Sequence, residues 1–460
     1  MKRPAKILAW SAAVLFGIPV AAYLGWLSGN LWDDELDPAV ARILSTEAPP
    51  QLDAKNNAYF DAIGIDAPDD QDAHAWGLAR FQAYLATDAG QAPTARAARK
   101  PGIDKSKLPC AKAETCLNDV AADAEAARRI LEAEAIVLRR LDAVLDARYQ
   151  EPDRKLNYRS EFASLGPAMT AQKLAQARVA LLAAEGRHEE ALRQWGRLTE
   201  FAARQAAGSW SLLAKVIAIA ALHRQHVLLA EYLKAYPEAA QANAGRILDM
   251  LRPLSRAELT LAPALESEIA MTVRSFAADD GLNPLTGADV AMPAVLAVLL
   301  DPFFKRTATM NEVAGETLEW VRLDALEGGA YRAMRSALAA RRGGDGSFLH
   351  YRNPIGRVLA AVGGPDFSSY FYRRDSLAAE RRLLRFGVGL VADRNCDAAF
   401  VKAAVAEHPE LLHPYTGALP AWTDERRSLT YAAPEDMRGS AGIAPFELAL
   451  PRAGFCTGKT

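Results

Sequence analysis

Residues Pro167–Gly208 read PAMTAQKLAQARVALLAAEGRHEEALRQWGRLTEFAARQAAG, and Ser209–Pro237 continue SWSLLAKVIAIAALHRQHVLLAEYLKAYP. The first stretch holds two helical patterns. Gly186 ends one of them. Glu189 or Glu190 opens the next, where an acidic side chain suits the positive end of the helix dipole. The second stretch is nearly apolar through Leu222 apart from Lys215, which predicts a helix in the centre of the protein. Pro237 then opens a fourth helix, PEAAQANAGRILDML. Successive helices joined by short turns predict a mainly α chain packed as helical hairpins.

The same period continues outward in both directions. Ala73–Thr87 places Trp76, Leu78, Phe81, Tyr84 and Leu85 mostly on one face, and Leu117–Tyr149 repeats the pattern with Ile130, Leu131, Leu138, Leu141 and Leu145. Between them Asp88–Cys116 reads as a long polar loop. Further helix is expected from Pro253 and over Asn311–Arg342, with a break at Gly328-Gly329. The apolar run Ala291–Phe304 is too short to span a membrane and is assigned to the core, with a lip against the bilayer as the alternative. Beyond 345 the character changes. A long helix, Ser368–Arg394, precedes two short runs around TDERR that predict a small β-hairpin. The divisions expected are 1–32, 33–116, 117–345 and 346–460.

The N-terminus sets the compartment. No charged residue occurs from Ile7 to Trp32, a length that crosses a hydrocarbon core of about 30 Å as a helix. Lys2, Arg3 and Lys6 precede it, and Asp33, Asp34, Glu35 and Asp37 follow. Basic residues stay on the cytoplasmic side, so the tip faces the cytoplasm and the bulk lies outside a bacterial inner membrane, in the periplasm. Trp26 and Trp32 suit the outer headgroup level. A leader cleaved after Val20-Ala21-Ala22 is the alternative, although the apolar run continues past that point through Leu24, Trp26 and Leu27. Either reading exports residues 33–460.

Composition is ordinary for a globular chain of 460 residues, with net charge −2. Without the three basic residues of the tip, the exported part carries −5, which leaves no basic footprint for nucleic acid. Four cysteines in an exported protein predict disulfides, and of three connectivities Cys110–Cys116 with Cys396–Cys456 is favoured. Neither pair has the spacing of a zinc site.

Two resemblances are carried by particular residues. The segment LAQARVALLAAEGRHEEALRQWGRL resembles a tetratricopeptide repeat: Gly186 fits its turn glycine, Ala191 its small residue and Trp195 its aromatic position. Ala203 stands where the terminal proline is expected, and no second copy follows about 34 residues later. The resemblance implies antiparallel helix-pair packing. The segment HPYTGALP is similar to the D-P-Y-T-G segment near the ends of some uncharacterised exported bacterial proteins. His413 replaces the aspartate, and the resemblance implies a location and no activity.

Assembled chemistry is sparse. There is no H-E-x-x-H, G-x-S-x-G or S-x-x-K element. His223 and His226 share a helix face but lack a third metal ligand, so they read as a polar edge. GVGLVA (Gly387–Ala392) matches a dinucleotide fingerprint yet follows a helix rather than a strand. DAPDDQD and DDGLNPLTGAD lack the spacing of a calcium loop. No metal or cofactor is predicted. The best candidate ligand surface is YFYRRDSLAAERRLLRF, where Tyr370 and Tyr372 interleave with Arg373, Arg374, Arg381, Arg382 and Arg385. It would suit an anionic envelope component or an acidic protein partner. A solvated helix neutralised by Asp375 and Glu380 is the plainer reading. The role expected is binding or scaffolding at the cell envelope. Two alternatives are a hydrolase assembled from distant residues, with His350, Tyr351, Arg352 and His413 tested first, and a lipid handler using Ala291–Phe304.

Overall fold

The computed structural model describes residues 3–45, 51–88, 98–99, 108–152, 155–157, 160–277, 294–326, 336, 352–363, 367–434 and 445–456, and every structural statement concerns these. Most of the expected loop Asp88–Cys116, the loop before Ala291, the Gly328-Gly329 break and the division at 345 lie outside them, as do His350 and Tyr351.

The chain is mainly helical. Helix α1 (Arg3–Ser28) is followed by α2 (Pro38–Ser45), α3 (Ala58–Ile63) and α4 (Ala73–Asp88). The long helix expected over Leu117–Tyr149 is instead three: α5 (Cys116–Ala122), α6 (Ala124–Ala133) and α7 (Ala135–Val144). The first break comes at Asp123, whose carboxylate leaves the helix to accept from Ala126 N–H. Next come α8 (Gly166–Ala184), α9 (His188–Gly208), α10 (Leu212–Ala235), α11 (Pro237–Ala242) and α12 (Ala244–Met250). Then follow α13 (Arg256–Leu259), α14 (Ala262–Ala277), α15 (Ala294–Leu300), α16 (Arg306–Asp324), α17 (Pro354–Gly363), α18 (Ser368–Ala392) and α19 (Ala398–Glu407).

The hairpin α8–α9 turns at Gly186, φ 76°, a left-handed conformation that a side chain resists. Gly186 N–H bonds Ala183 O and Arg187 N–H bonds Leu182 O, which satisfies the last carbonyls of α8. Helix α9 then packs on α10, and Trp195, fully buried, donates its indole N–H to Gln225 O across that contact (2.9 Å). Helix α10 is long and apolar enough to cross a membrane, yet 67% of its apolar window is buried inside the protein, so it is a core helix. Helix α18 lies against α10, α11 and α12. In the N-terminal pair α3–α4, Gly77 lets the backbones touch: a Cβ there would stand 1.7 Å from Phe60 O.

The largest core cluster takes Phe60 and Leu117 from before and around residue 116, Trp195 and Leu233 from the middle, and Leu384 and Leu448 from the C-terminal part. A second cluster joins α10, α14, α16 and α18 around Leu222, Leu265, Trp320 and Phe371. The expected hairpin around TDERR is present, and a third strand extends it to a three-stranded antiparallel sheet. Strands β1 (Ala421–Thr423) and β2 (Ser428–Thr430) pair with Trp422 opposite Leu429, and β3 (Glu447–Ala449) adds to β2 with Leu448 opposite Leu429. Three residues are too few to announce β3 in the sequence. Leu448 and Leu429 are fully buried, and Gly387 of α18 makes room for the Leu448 side chain. GVGLVA therefore lies within a helix that packs on a sheet. The cysteines stand at disulfide distance in the favoured pairs, with Cα–Cα separations of 4.3 Å for Cys110–Cys116 and 5.1 Å for Cys396–Cys456.

Candidate functional site

The residues singled out on α18 do not form a solvent-facing surface. Tyr372, Arg374 and Arg381 are buried, and Tyr370 and Arg373 are half-buried, the Arg373 guanidinium lying over the Tyr370 ring. Arg374 donates to Asp324 (2.6 Å) and Asp375 (2.8 Å) and lies over the Phe371 ring. Asp324 also accepts from Leu261 N–H and Ala262 N–H, so one ion pair ties α14, α16 and α18 together. Arg382 donates to Glu410 O, and Arg385 donates to Leu248 O and Leu251 O at the C-terminal end of α12, where the helix dipole favours a cation. The plainer reading of a solvated helix is corrected too. Phe371, Leu377, Leu384, Val388 and Val391 are almost fully buried, so α18 is a central helix whose charges are neutralised internally.

Glu380 is the residue that sequence reasoning missed. Its carboxylate accepts from His223 Nδ1 (2.8 Å) and His226 Nδ1 (2.9 Å), one to each oxygen, and joins α18 to α10. Arg381 Nε donates to His226 Nε2 (3.3 Å), and Arg381 Nη1 donates to Arg252 O (2.9 Å). Burial works against a charged Glu380, but the two histidines outweigh it and hold the carboxyl down to about 2. Burial pushes His226 down to about 4, helped by Arg381, so this imidazole is neutral. Burial opposes a charge on His223 as well, yet there Glu380 prevails and raises it. The expected polar edge is thus a buried His–Glu–His bridge. One signal was available: Glu380 sits three residues after Leu377 and four before Leu384, on the apolar stripe of its helix. Lys215, the one charge in the apolar half of α10, donates to Ala206 O (2.7 Å) and Glu258 O (2.9 Å), and burial lowers it to about 8.

His413 has a different task. Tyr415 N–H and Thr416 N–H point at its Nδ1 (3.1 and 3.4 Å), and Gly417 N–H closes the turn on His413 O (2.7 Å). An aspartate carboxylate at this position would accept the same donors, so the neutral imidazole takes over the acceptor role. With Nδ1 accepting, the proton sits on Nε2, which donates to Ser376 Oγ (3.1 Å). That tautomer takes no proton from Ser376. Burial holds His413 down at about 4, and its ring stacks on Tyr372. Arg352, the other described residue proposed for hydrolysis, is exposed and pairs with Asp34, far in the chain from His413. No step of a hydrolysis is assembled from this pair.

Three of the carboxylates of DAPDDQD cap or pair. Asp66 pairs with Arg80, Asp69 with Arg99, and Asp72 caps α4 through Ala75 N–H. Arg140 gathers the loop's carbonyls, at Ile65, Ala67, Pro68 and Gln71. Among the described residues no group of three metal-ligating side chains is poised for an ion.

A groove of about 580 Å³ runs between α6–α7 and the hairpin α8–α9. Leu131, Leu138, Leu181 and Leu182 line its floor, and Arg128, Arg178, Arg187, Arg193 and Arg197 stand along it with Glu132, Glu185 and Glu190. Four of the arginines are paired: Arg128 with Glu125 and Glu185, Arg178 with Asp142, Arg187 with Glu190, and Arg197 with Asp146. Arg193, exposed, has no hydrogen-bond or ion-pair partner among the described residues. Sequence reasoning placed the hairpin but missed its groove, because α6 and α7 meet α8 from an earlier part of the chain.

Compared with family models, with curated proteins and with solved structures, the chain matches none.

Proposed function

We propose that this chain is a membrane-anchored binding or scaffolding protein of the bacterial envelope. Its N-terminus is cytoplasmic, Ile7–Trp32 crosses the inner membrane, and an array of helical hairpins, one of them tetratricopeptide-like, faces the periplasm. The groove along α8–α9 takes a segment of another envelope protein. That segment carries apolar anchors for the leucine floor and a carboxylate for Arg193. The observation that supports this reading is the unequal use of arginine. On α18 the guanidinium groups bond internal carboxylates and carbonyls, whereas in the groove they lie on water over apolar side chains, with one of them unpartnered. Exposed ion pairs are worth about 0–1 kcal/mol each, so a partner's carboxylates can displace those in place at small cost.

A photocrosslinking residue at Leu182, on the groove floor, in full-length protein in intact cells, tests this. A discrete adduct whose partner peptide contains Asp or Glu, absent when the probe sits at the exposed Phe400 of α19, is expected. No adduct at Leu182, or the same adduct from both positions, overturns it.

One observation favours a second reading, an envelope hydrolase. His223 donates Nδ1–H to Glu380 and leaves Nε2 without a protein partner on a side chain that is 29% exposed, the arrangement of an oriented base. It requires turnover of a peptidoglycan, ester or phosphodiester probe that His223→Asn abolishes while the thermal midpoint holds. Silence across that panel removes this reading and leaves the first.

A further inference from the structure

Ala291–Phe304 reads in sequence as core, and only part of what is described fits that reading. Helix α15 leaves Leu296, Val298 and Leu299 exposed at 44, 73 and 45%. Phe303, just after the helix, is buried and packs against the rings of Tyr23 (5.6 Å) and Trp26 (4.7 Å) of α1. Tyr23 also donates its hydroxyl to Leu299 O (3.1 Å). The exposed face of α15 therefore begins beside α1, whose own Leu15, Ile18, Val20 and Leu24 are more than half exposed.

The height of this contact follows from helix length. About 20 residues cross a hydrocarbon core of about 30 Å. Counted from Ile7 they end at Trp26, so Tyr23 and Trp26 mark the outer boundary, where aromatic residues favour the headgroup level. Helix α15 meets α1 at those two residues. Lys305 and Arg306, directly after Phe304, have no ion-pair or hydrogen-bonded side-chain partner among the described residues, and both remain partly open to solvent. Apolar side chains beside unpartnered cations match the order of acyl chains and phosphates in a phospholipid leaflet.

The junction after α1 is also held. Asp33 accepts from Thr307 N–H (2.8 Å) and Ala308 N–H (3.0 Å) at the start of α16. Asn30, fully buried, accepts from Asn353 N–H (2.7 Å), and Asn311 accepts from Asp37 N–H (2.8 Å). The chain leaving the membrane is clamped to α16 through Asp33 and Asp37 and to the residue before α17 through Asn30, so the direction of α1 and the height of α15 are set together.

We propose that α15 lies in the outer interface of the same phospholipid bilayer that α1 crosses. Leu296, Val298 and Leu299 enter the acyl boundary, and Lys305 and Arg306 meet lipid phosphates. The exported body then touches the membrane at two places and holds one tilt. This rests on the reading of α1 as a retained anchor.

The test uses the full chain in nanodiscs of neutral and anionic phospholipids, with one environment-sensitive fluorophore per protein on Val298→Cys, Ile18→Cys or Phe400→Cys. The emission at Val298 is quenched by lipids spin-labelled near the headgroup more than by lipids labelled deep in the acyl chain. Ile18 shows the reverse order, and Phe400 is quenched by neither. An unquenched Val298 with a quenched Ile18 overturns the lip and leaves the anchor standing. Loss of quenching at both overturns the anchor and the lip with it. Stronger quenching of Val298 by the deep lipid overturns an interfacial position.

Discussion

Two regions of this molecule are built from the same pairs of residues, and they differ in where water stops. At the seams where α18 meets α10 and α16, arginine, glutamate, aspartate and histidine face one another inside the protein. Along the groove of α6–α9, arginine meets aspartate and glutamate at the surface. A buried charge that loses its partner remains desolvated, whereas an exposed one regains water. The seams are therefore fixed, and the groove can exchange partners. Counting arginines along α18 locates a charged segment but not a binding surface.

The largest consequence tests that difference directly. Arg374→Met leaves Asp324 and Asp375 buried without their cation and is expected to cost about 3–5 kcal/mol. Arg128→Met, which removes two exposed pairs in the groove, is expected to cost far less, because both carboxylates it leaves regain water. Denaturant unfolding of the full chain measures both. Equal costs would erase the distinction between the regions.

A smaller effect lies in the response to pH and salt. Glu380 is held at about 2 in the folded protein. A carboxyl lowered on folding stabilises above its unfolded value and loses that contribution as pH falls through the folded one, so its window runs from 4.5 down to about 2. His226, lowered to about 4, also erodes stability as pH falls, here from 6.5 to about 4. His223, raised, does the opposite: its contribution is complete below 6.5 and is lost as pH rises through its folded value. In Glu380→Gln the window that Glu380 contributes below pH 4.5 closes, and His223 falls, because burial then outweighs the remaining attraction of Glu114. Titration of the imidazole signals by NMR reads this. Glu185 in the groove is also lowered, first by its bond to Arg128, but it is exposed. Raising the salt to 1 M moves Glu185 back toward its ordinary value, because screening acts within about 3 Å there, and leaves Glu380 in place. A Glu380 that answers to salt would show the seam to be wet.

The extent to which sequence disclosed this architecture follows the range of the interactions. Helix periodicity, the Gly186 turn and the central position of α10 are properties of neighbouring residues, and they were readable. Breaks at Asp123 and Asn243 were not, because each comes from a polar side chain bonding its own backbone without any glycine or proline to mark it. The partners of α18 come from elsewhere: Asp324 lies 50 residues away and His223 157 residues away. Burial of its arginines was therefore invisible in YFYRRDSLAAERRLLRF, although the leucine stripe through Glu380 hinted at it. The groove escaped for the same reason, since its two walls come from different hairpins. Arg140 donates to the carbonyls of the DAPDDQD loop from a later helix, a contact no local pattern announces.

The smallest expected effect on stability is the most informative about function. Arg193 makes no hydrogen bond or ion pair among the described residues and acts only at longer range on Glu190, so Arg193→Glu is expected to change unfolding free energy by no more than about 0.5 kcal/mol. The same change puts a like charge where a partner's carboxylate is proposed to sit, which costs several kcal/mol of binding when desolvated. An adduct captured from a probe at Leu182, on the floor beside it, is expected to vanish in this variant while the melting curve stays where it was. A charge-swapped partner carrying lysine at the matching position restores it. Survival of the adduct in Arg193→Glu would mean that the groove is held by its leucines alone and that its arginines serve only the hairpins that carry them.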